Sequence, residues 1–265
     1  MKGCWNLTNL CNEECYFCFR ELQERARAVE DNIVILNKLK NIGFTEITYA
    51  GGEPLIYSGL RVLLKYARSL GIKNNLITNG KNLTLENIVS YLCNVDKLTF
   101  SIESTNEYVN STTGRGIEHY KHIKSLLPYI KENYPHITLE INTVATKVNL
   151  NELDYLFEAL GSEISLYGLK KWKISRFCPL RGYARIRKSF FDLTEEEFLD
   201  VEKKYSGLTA PFKISVRNTD SIDENIIISP KGAIKKSSMN EEYTLVEDII
   251  NSPTVRIKKV LEKGV

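Results

Sequence analysis

Three cysteines, Cys11, Cys15 and Cys18, lie within eight residues of the sequence at C-x3-C-x2-C spacing. Cysteine thiolates hold iron–sulfur clusters in proteins, and four of them usually ligate a cubane. This spacing lets one short loop bind three corners of a single cluster, and it leaves the fourth iron without an obvious protein ligand. An open iron can bind a substrate or cofactor directly. The loop is therefore predicted to be a reaction site as well as an electron-transfer site.

Zinc binding and disulfide formation are the alternatives for these cysteines. A structural zinc site normally takes two pairs of Cys or His ligands, and the sequence has no second pair. Six cysteines in 265 residues are too sparse for a disulfide framework, and no signal-peptide pattern precedes them. The remaining cysteines, Cys4, Cys93 and Cys178, are too widely spaced to predict a second cluster. Zinc or structural thiols stay open as the second interpretation.

The elements that must position this loop alternate along most of the chain. Strands are predicted at 4–8, 45–50, 75–78, 97–103, 137–144 and 171–177, and helices at about 25–42, 60–70, 85–92, 118–133 and 150–160. Such alternation is typical of a parallel sheet flanked by helices. Right-handed crossovers would give either a doubly wound sheet or a barrel segment, and periodicity alone does not choose between them.

Unusual residues follow these strands at their carboxyl ends, where sites gather in α/β folds. Gly51 and Gly52, which lack a Cβ, follow the second strand and precede the carboxylate of Glu53. Two glycines are typical of a tight turn, but they also let a backbone approach a ligand closely. Asn79 follows the third strand, and Ser101 and Glu103 close the fourth strand with side chains on one side. These residues are predicted to meet around the cysteine loop.

The cysteine motif and the Gly-Gly-Glu segment resemble the radical S-adenosylmethionine (radical SAM) superfamily. The resemblance implies an α/β fold with a partial (β/α)6 TIM-like barrel over residues 1–180. It also implies a short C-terminal α+β extension over residues 181–265 that covers the barrel mouth and holds no auxiliary cluster. A capping-box pattern, Thr194 followed by Glu197, predicts a helix in that extension.

Membership of this superfamily would imply two cofactors, a [4Fe–4S] cluster and S-adenosyl-L-methionine. Such an enzyme reductively cleaves S-adenosylmethionine at the cluster, and the resulting 5′-deoxyadenosyl radical abstracts a hydrogen atom from a substrate. Cluster reduction needs a low-potential donor, so a flavodoxin- or ferredoxin-type partner is implied.

The resemblance also assigns roles to individual side chains. Cys11, Cys15 and Cys18 would bind the cluster. The Gly-Gly-Glu segment would contact the amino group of the methionine, Ser101 and Glu103 the ribose hydroxyls, and Arg115 the methionine carboxylate, although Arg115 could also be a surface turn arginine. The implied cofactor-binding residues are Phe17, Gly51, Gly52, Glu53, Asn79, Ser101, Glu103, Arg115, Asn142 and Val144.

The substrate is indicated by a finer resemblance to the viperin group, which dehydrates nucleoside triphosphates to 3′-deoxy-3′,4′-didehydro forms and acts in antiviral defence. The matching segments are Cys15–Phe19, Gly114–Gly116, Ile141–Val144 and Trp172–Lys173. Residues 179–184 instead resemble members that modify a peptide or a small cofactor precursor, which is the alternative. A second alternative is a non-catalytic iron–sulfur relay or sensor.

Basic residues near the end of the sixth strand are the candidates for contact with this substrate. Lys171 and Lys173 point to the same side of a strand and would form an anion site, or would simply be exposed. The full set of candidates is Lys171, Lys173, Arg176, Arg181 and Arg185. Cys178 would be either a hydrogen-atom donor or a small buried apolar residue.

Composition restricts the remaining possibilities. An apolar content of 43% and a charged content of 26% are typical of a soluble globular protein. A net charge of +3 argues for neither nucleic acid nor membrane as a partner. No apolar run approaches the ~18 residues of a membrane span. Free thiols and a cluster loop indicate a reducing compartment, so a cytoplasmic location is predicted.

Overall fold

One ten-stranded sheet organises the residues that the computed structural model describes, which are 1–20, 25–218, 226–236 and 244–262. The strands are β1 Lys2–Thr8, β2 Glu46–Gly51, β3 Lys73–Thr78, β4 Lys97–Ser101, β5 Thr138–Ala145, β6 Leu169–Arg176, β7 Lys213–Arg217, β8 Ile227–Ile228, β9 Ala233–Lys236 and β10 Thr244–Asp248. Their order across the sheet is β10-β9-β8-β1-β2-β3-β4-β5-β6-β7.

Strands β1 to β6 are neighbours in sequence order, and every pairing between them is parallel. This confirms the predicted β-α alternation. The sheet ends at β7 on one side and at β10 on the other, so it does not close. The predicted α/β class is therefore confirmed, with a mainly parallel sheet that is open and not closed into a barrel.

Ten α-helices accompany these strands in the described residues. They are α1 Val29–Asn41, α2 Leu60–Ser69, α3 Ile88–Leu92, α4 Glu107–Thr113, α5 His119–Asn133, α6 Leu153–Ala159, α7 Gly182–Ile186, α8 Lys188–Phe191, α9 Glu195–Ser206 and α10 Thr254–Glu262. The five helices predicted between the strands correspond to α1, α2, α3, α5 and α6. The predicted fourth strand ends two residues early, at Ser101, and the unpredicted α4 follows it.

Side chains alternate between the two faces of the sheet because successive residues of a strand point in opposite directions. One face carries large apolar side chains such as Trp5, Tyr49, Phe100 and Trp172, which are fully buried with the helices in one core. The other face is mainly polar and lines the cavities described below. The sheet thus separates the hydrophobic core from the candidate site.

The C-terminal segment borders the sheet at both ends. Strand β7 pairs with β6 in parallel, and β8 pairs in parallel with β1. Helix α9 begins with the predicted capping box, in which Thr194 and Glu197 exchange hydrogen bonds of 3.1 and 2.8 Å. Parts of the expected extension, residues 219–225, 237–243 and 263–265, lie outside the described residues. No described helix has the length and apolar character needed to cross a membrane.

Candidate active site

The three motif cysteines line one small cavity of about 150 Å³ at the carboxyl ends of β2, β3 and β4. Among the described residues, no group of three His, Cys, Asp or Glu side chains is suited to hold a single metal ion. A cubane differs from a single ion because its thiolate ligands bind separate irons. One wall shared by three thiols therefore fits an iron–sulfur cluster better than it fits zinc.

Gly51 and Gly52 bring β2 against the backbone that leads into the cysteine loop. A Cβ at Gly52 would lie 1.9 Å from the carbonyl oxygen of Leu10, and one at Gly51 would lie 2.4 Å from that of Thr8. Gly51 also has a φ of +118°, which disfavours other residues. The Gly52 amide donates to Thr8 O at 2.6 Å. The two glycines are thus needed for close contact between two segments of the protein backbone, whether or not a ligand also approaches them.

Glu53 is 1% exposed, and the protein surrounds its carboxylate with donors. Oε1 accepts from the Leu55 amide at 2.9 Å and from the Thr78 hydroxyl at 2.8 Å, and Oε2 accepts from the Asn79 amide at 2.8 Å. Burial nevertheless raises the pKa of Glu53 to about 7. Glu53 is consequently fixed in position between β2 and the end of β3, on the wall of the small cavity.

Asn79 links this carboxylate to the cysteine loop. Its side-chain amide donates to the side-chain Oδ1 of Asn12 at 2.8 Å and approaches the Cys11 sulfur at 3.7 Å. Asn79 is therefore on the wall of the small cavity beside the first motif cysteine.

Arg115 connects two buried carboxylates. Its Nε donates to Glu103 Oε2 at 2.6 Å, and its Nη1 donates to Glu13 Oε2 at 2.9 Å. Its guanidinium also lies over the Phe17 ring, 5.6 Å from the centroid. Burial alone would lower the pKa of Arg115, but Cys15, Glu103 and Glu13 together raise it well above its usual range. The arginine is therefore charged, and it fastens the cysteine loop to the segment after β4.

His119 completes this cluster of polar groups. Burial and the nearby Arg115 lower its pKa to about 3, so the imidazole is neutral at ordinary pH. Its Nε2 lies 2.7 Å from the Ser101 carbonyl oxygen, which only accepts hydrogen bonds, so this nitrogen carries the proton. Its Nδ1 faces Glu13 Oε1 at 3.8 Å.

Glu13 was not among the residues predicted from the sequence. The signal in the sequence is a carboxylate inside the cysteine motif itself, two residues after Cys11. Glu103 and Arg115 were both predicted, but they contact each other, and Glu103 lies on the wall of neither cavity. Ser101 lines the small cavity. The cofactor roles that the resemblance implies for these residues stay predictions.

A second cavity of about 560 Å³ opens on the polar face of the sheet, and it contains Asn142 and Val144 in its wall. It shares part of its wall with the small cavity through Phe17, Cys18, Arg20, Ala50, Gly51 and Ile77. The cysteine loop and the polar face of the sheet therefore border one continuous site. Within it, the buried Oδ1 of Asn142 has no hydrogen-bond partner in the described part of the chain.

Positive charge dominates the wall of the large cavity. Glu140 is the one carboxylate among the described residues that line it. The cationic lining residues are Arg20, Lys97, Lys171, Lys173, Arg176, Arg181 and Arg217. Glu140 pairs with Lys97 at 3.7 Å, so it does not balance the remaining cations.

Lys173 lies on the inner side of β6, and its electrostatic surroundings are unfavourable for its charge. Burial first, and then the neighbouring Arg217, lower the pKa of Lys173 to about 8. Burial also lowers the pKa of Lys171, although Glu140 opposes that change. A lysine destabilised in this way gains from any anion that enters the cavity.

The other predicted substrate residues differ in their positions. Arg176 pairs with Glu195 at 2.5 Å and donates to the Leu193 carbonyl at 2.7 Å, which ties β6 to α9. Arg181 donates to the Phe19 carbonyl at 3.1 Å. Arg185 is exposed and lines neither of the two cavities.

Cys178 is buried in the wall of the large cavity. Burial raises the pKa of its thiol to about 11, so the sulfur is protonated at neutral pH. A neutral buried thiol behaves as a small apolar group.

Comparison with known proteins identifies relatives for most of the chain. The model of the Radical SAM superfamily matches residues 5–160. The chain is 28% identical to an S-adenosylmethionine-dependent nucleotide dehydratase of Flammeovirga pacifica, over 98% of this chain and 89% of that protein. It is 32% identical to a protein of the same name from Lacinutrix mariniflava, over 75% of this chain and 44% of that protein.

A solved structure supports the fold independently. Streptococcus suis SuiB bound to S-adenosylmethionine matches with a TM-score of 0.72 at 16% identity, over 94% of this chain and 64% of SuiB. The chain therefore spans slightly less than two thirds of the length of SuiB. At this identity the similarity concerns the fold alone, and it agrees with the open, mainly parallel sheet.

Proposed function

The chain belongs to the radical SAM superfamily, and from its similarity to relatives of that name we propose that it is an S-adenosylmethionine-dependent nucleotide dehydratase. The proposed reaction converts a nucleoside triphosphate into its 3′-deoxy-3′,4′-didehydro form. The superfamily's cofactors are a [4Fe–4S] cluster and S-adenosylmethionine. A flavodoxin- or ferredoxin-type protein is the proposed electron donor.

The residues at the small cavity fit these cofactors. Cys11, Cys15 and Cys18 line one wall and would hold the cluster. When bound, the cluster and S-adenosylmethionine together supply a 5′-deoxyadenosyl radical for hydrogen abstraction. Gly51 and Gly52 place the backbone at this wall, and Asn142 presents an acceptor without a partner to the adjoining cavity. That acceptor suits a hydroxyl of a bound nucleoside.

The observation that carries the nucleotide proposal is the excess of cations on the wall of the large cavity. Seven cationic side chains and one carboxylate line it among the described residues. A triphosphate supplies several negative charges in one small group, and Lys and Arg are its usual protein partners. Lys171 and Lys173 would bind the phosphates from the inner face of β6, each as a protonated ammonium group.

The same cavity also orients the sugar of the nucleotide. The wall that it shares with the small cavity includes the apolar side chains of Phe17 and Ile77. Val144 and the neutral thiol of Cys178 add apolar surface in the large cavity. Phosphates bound among the cations of β6 leave the nucleoside to occupy this less polar end, beside the cysteine loop.

The alternative interpretations account for less of the site. A non-catalytic relay or sensor needs a cluster, but this interpretation does not explain the basic cavity of about 560 Å³ beside it. A peptide or cofactor-precursor substrate would use the same cavity, but this interpretation gives no reason for its cationic wall.

The test is anaerobic reconstitution followed by reduction with dithionite in the presence of S-adenosylmethionine. We expect 5′-deoxyadenosine to form faster when a nucleoside triphosphate is added. Deuterium from the 4′ carbon of the nucleotide should appear in the 5′-deoxyadenosine, and the nucleotide should lose one water. The test uses a panel of the common ribonucleoside and deoxyribonucleoside triphosphates. The proposal is overturned if none of them stimulates S-adenosylmethionine cleavage and none is consumed.

A further inference from the structure

The basic residues of the short helices α7 and α8 and the residue before them, Arg181, Arg185, Arg187 and Lys188, lie mainly outside the substrate cavity. Residues 181–192 contain four cationic side chains and one carboxylate, Asp192, which lies 3.8 Å from the Lys188 ammonium group. Only Arg181 of the four lines the large cavity, while Arg185, Arg187 and Lys188 are exposed. This charge therefore needs an explanation other than the substrate.

Helices α7 and α8 lie directly against the cysteine loop. The Ala184 amide donates to the carbonyl oxygen of Cys18 at 3.2 Å. A Cβ at Gly182, where φ is +57°, would lie 2.7 Å from the carbonyl oxygen of Arg20. The backbone of this surface segment is thus hydrogen-bonded to the backbone of a predicted cluster ligand.

Aromatic contacts reinforce this junction. The Arg187 guanidinium lies 3.9 Å from the centroid of the Tyr16 ring, and Tyr16 is inside the cysteine motif. Tyr16 and Tyr183 pack edge to face with centroids 6.4 Å apart. Exposed cations and the cysteine loop are therefore connected through packed side chains as well as through the backbone.

The outer side of the segment combines charge with exposed apolar surface. Residues 185–190 are all exposed, and they include Ile186 at 79% and Phe190 at 53% exposure. Transient protein interfaces commonly have an apolar centre within a polar rim. Small interfaces of this kind are typical of redox partners.

We propose that the α7–α8 surface is the docking site for an acidic one-electron carrier protein, which reduces the cluster held by the adjacent cysteine loop. The carrier loses one electron and the cluster gains it, so no other co-reactant is needed. Charge complementarity selects an acidic partner because opposite surface potentials increase the rate of association. This inference rests on the cluster of the proposed function but not on its nucleotide substrate.

The test compares a double charge reversal on this surface, Arg185→Glu with Lys188→Glu, against a matched reversal elsewhere. Lys65→Glu with Lys203→Glu changes the net charge equally at exposed positions on α2 and α9. The probe is a reduced flavodoxin, and dithionite serves as a small reductant that needs no docking surface. Binding of the flavodoxin to the chain is measured by calorimetry, with and without the cluster, at two salt concentrations.

We expect the α7–α8 variant to bind flavodoxin about tenfold more weakly and to be reduced by it about tenfold more slowly. Reduction by dithionite should stay within about twofold of the unmodified protein, which also shows that the variant folds and holds its cluster. Added salt should weaken flavodoxin binding to the unmodified protein and to the Lys65/Lys203 control alike.

Three results would overturn the docking proposal. The first is an unchanged flavodoxin affinity in the α7–α8 variant, and the second is an equal loss in the control. The third is binding of anionic vesicles or of a second copy of the chain, and not of flavodoxin, at the α7–α8 surface. Failure to consume any nucleotide, with docking and cluster reduction intact, would reject the proposed substrate and leave the docking surface standing.

Discussion

The two ends of the site differ in how their charges are balanced. At the cysteine loop, Arg115 pairs with Glu13 and Glu103, and every oxygen of Glu53 accepts a hydrogen bond from the protein. On the wall formed by β6, Lys173 lies beside Arg217, and burial lowers its pKa. At the cysteine loop, which we call the paired end, the buried charges are balanced by protein groups. The β6 wall gains stability only when an anion binds. Substitutions should therefore affect folding at the loop and ligand affinity at β6.

The largest effect is expected where the backbone itself makes the loop. Gly52→Ala places a methyl group 1.9 Å from the Leu10 carbonyl oxygen, so the loop must move away from β2. We expect the variant to lose most of its capacity to bind iron and sulfide. The measurement is the visible absorbance of the [4Fe–4S] cluster after anaerobic reconstitution.

Gly161→Ala is the matched control because a Cβ there meets nothing within 4 Å. It should load iron like the unmodified chain. Normal cluster loading in Gly52→Ala would show that the close approach between β2 and the loop is not required.

Arg115 tests whether the paired end depends on its ion pairs for folding. Arg115→Ala would leave two buried carboxylates, Glu13 and Glu103, without their partner. Breaking a buried pair in this way costs about 3–5 kcal/mol of unfolding free energy, which urea denaturation of the cluster-free chain can measure.

The pair of Arg68 with the half-buried Asp96, at 3.1 Å, provides the comparison, because the Arg68 side chain is exposed. Arg68→Ala should cost less than about 1 kcal/mol, since such pairs are solvated. Equal costs for the two arginines would remove the distinction between the paired end and an ordinary surface.

Lys173 tests the opposite behaviour at β6. Lys173→Met should weaken triphosphate binding by about tenfold or more, because a charged hydrogen bond contributes about 1.5–3 kcal/mol. The stability of the ligand-free protein at pH 7 should not fall, since a buried and repelled ammonium group is removed. Calorimetry with a nucleoside triphosphate and urea denaturation measure the two quantities.

The pH dependence of triphosphate affinity is a second test of the role of Lys173. With a pKa of about 8, Lys173 is mostly protonated at pH 7 and mostly neutral at pH 9, so triphosphate affinity should fall by up to about tenfold between them. Its folded-state pKa lies below the ordinary lysine value, so its penalty to stability is full below pH 8 and lessens as pH rises toward 10.5. A flat affinity profile in the unmodified protein would contradict the assignment, and Lys173→Met should have the flatter profile.

The smallest effect is expected at Asn142, between the two ends. Its Oδ1 has no hydrogen-bond partner among the described residues, so Asn142→Ala should change unfolding free energy by less than about 0.5 kcal/mol. Loss of one acceptor for a ligand hydroxyl should weaken binding of S-adenosylmethionine or nucleotide by about fivefold, near 1 kcal/mol. A large loss of stability with unchanged affinity for both ligands would place Asn142 with the paired end instead.

Local patterns in the sequence predicted the six parallel strands and the cysteine loop because both depend on residues close together in the chain. The period-two alternation along β6 also placed Lys171 and Lys173 on one face. Helix α4 escaped prediction because its sequence, residues 107–113, has polar and β-branched residues of low helix propensity. Its ends depend on the Asn106 cap and on Gly114 at a φ of +80°.

The contact of Glu13 with Arg115 could not be predicted in the same way. The two residues are 102 positions apart, and they meet only because α4 returns the chain to the cysteine loop. Burial decides their roles, and burial is a property of the packed fold. The exposed position of Arg185 likewise depends on how α7 packs against the loop, which the local basic pattern does not specify.

Strand β1 is the first strand in the chain but lies in the interior of the sheet, between β2 and β8. During synthesis its β2 edge finds a partner once residue 51 has emerged, whereas its other edge waits for residues 227–228. Nascent chains therefore carry an open strand edge for most of translation, and unpaired edges invite association with other chains. Shielding of that edge until residues 227–228 have emerged should therefore reduce association between nascent chains.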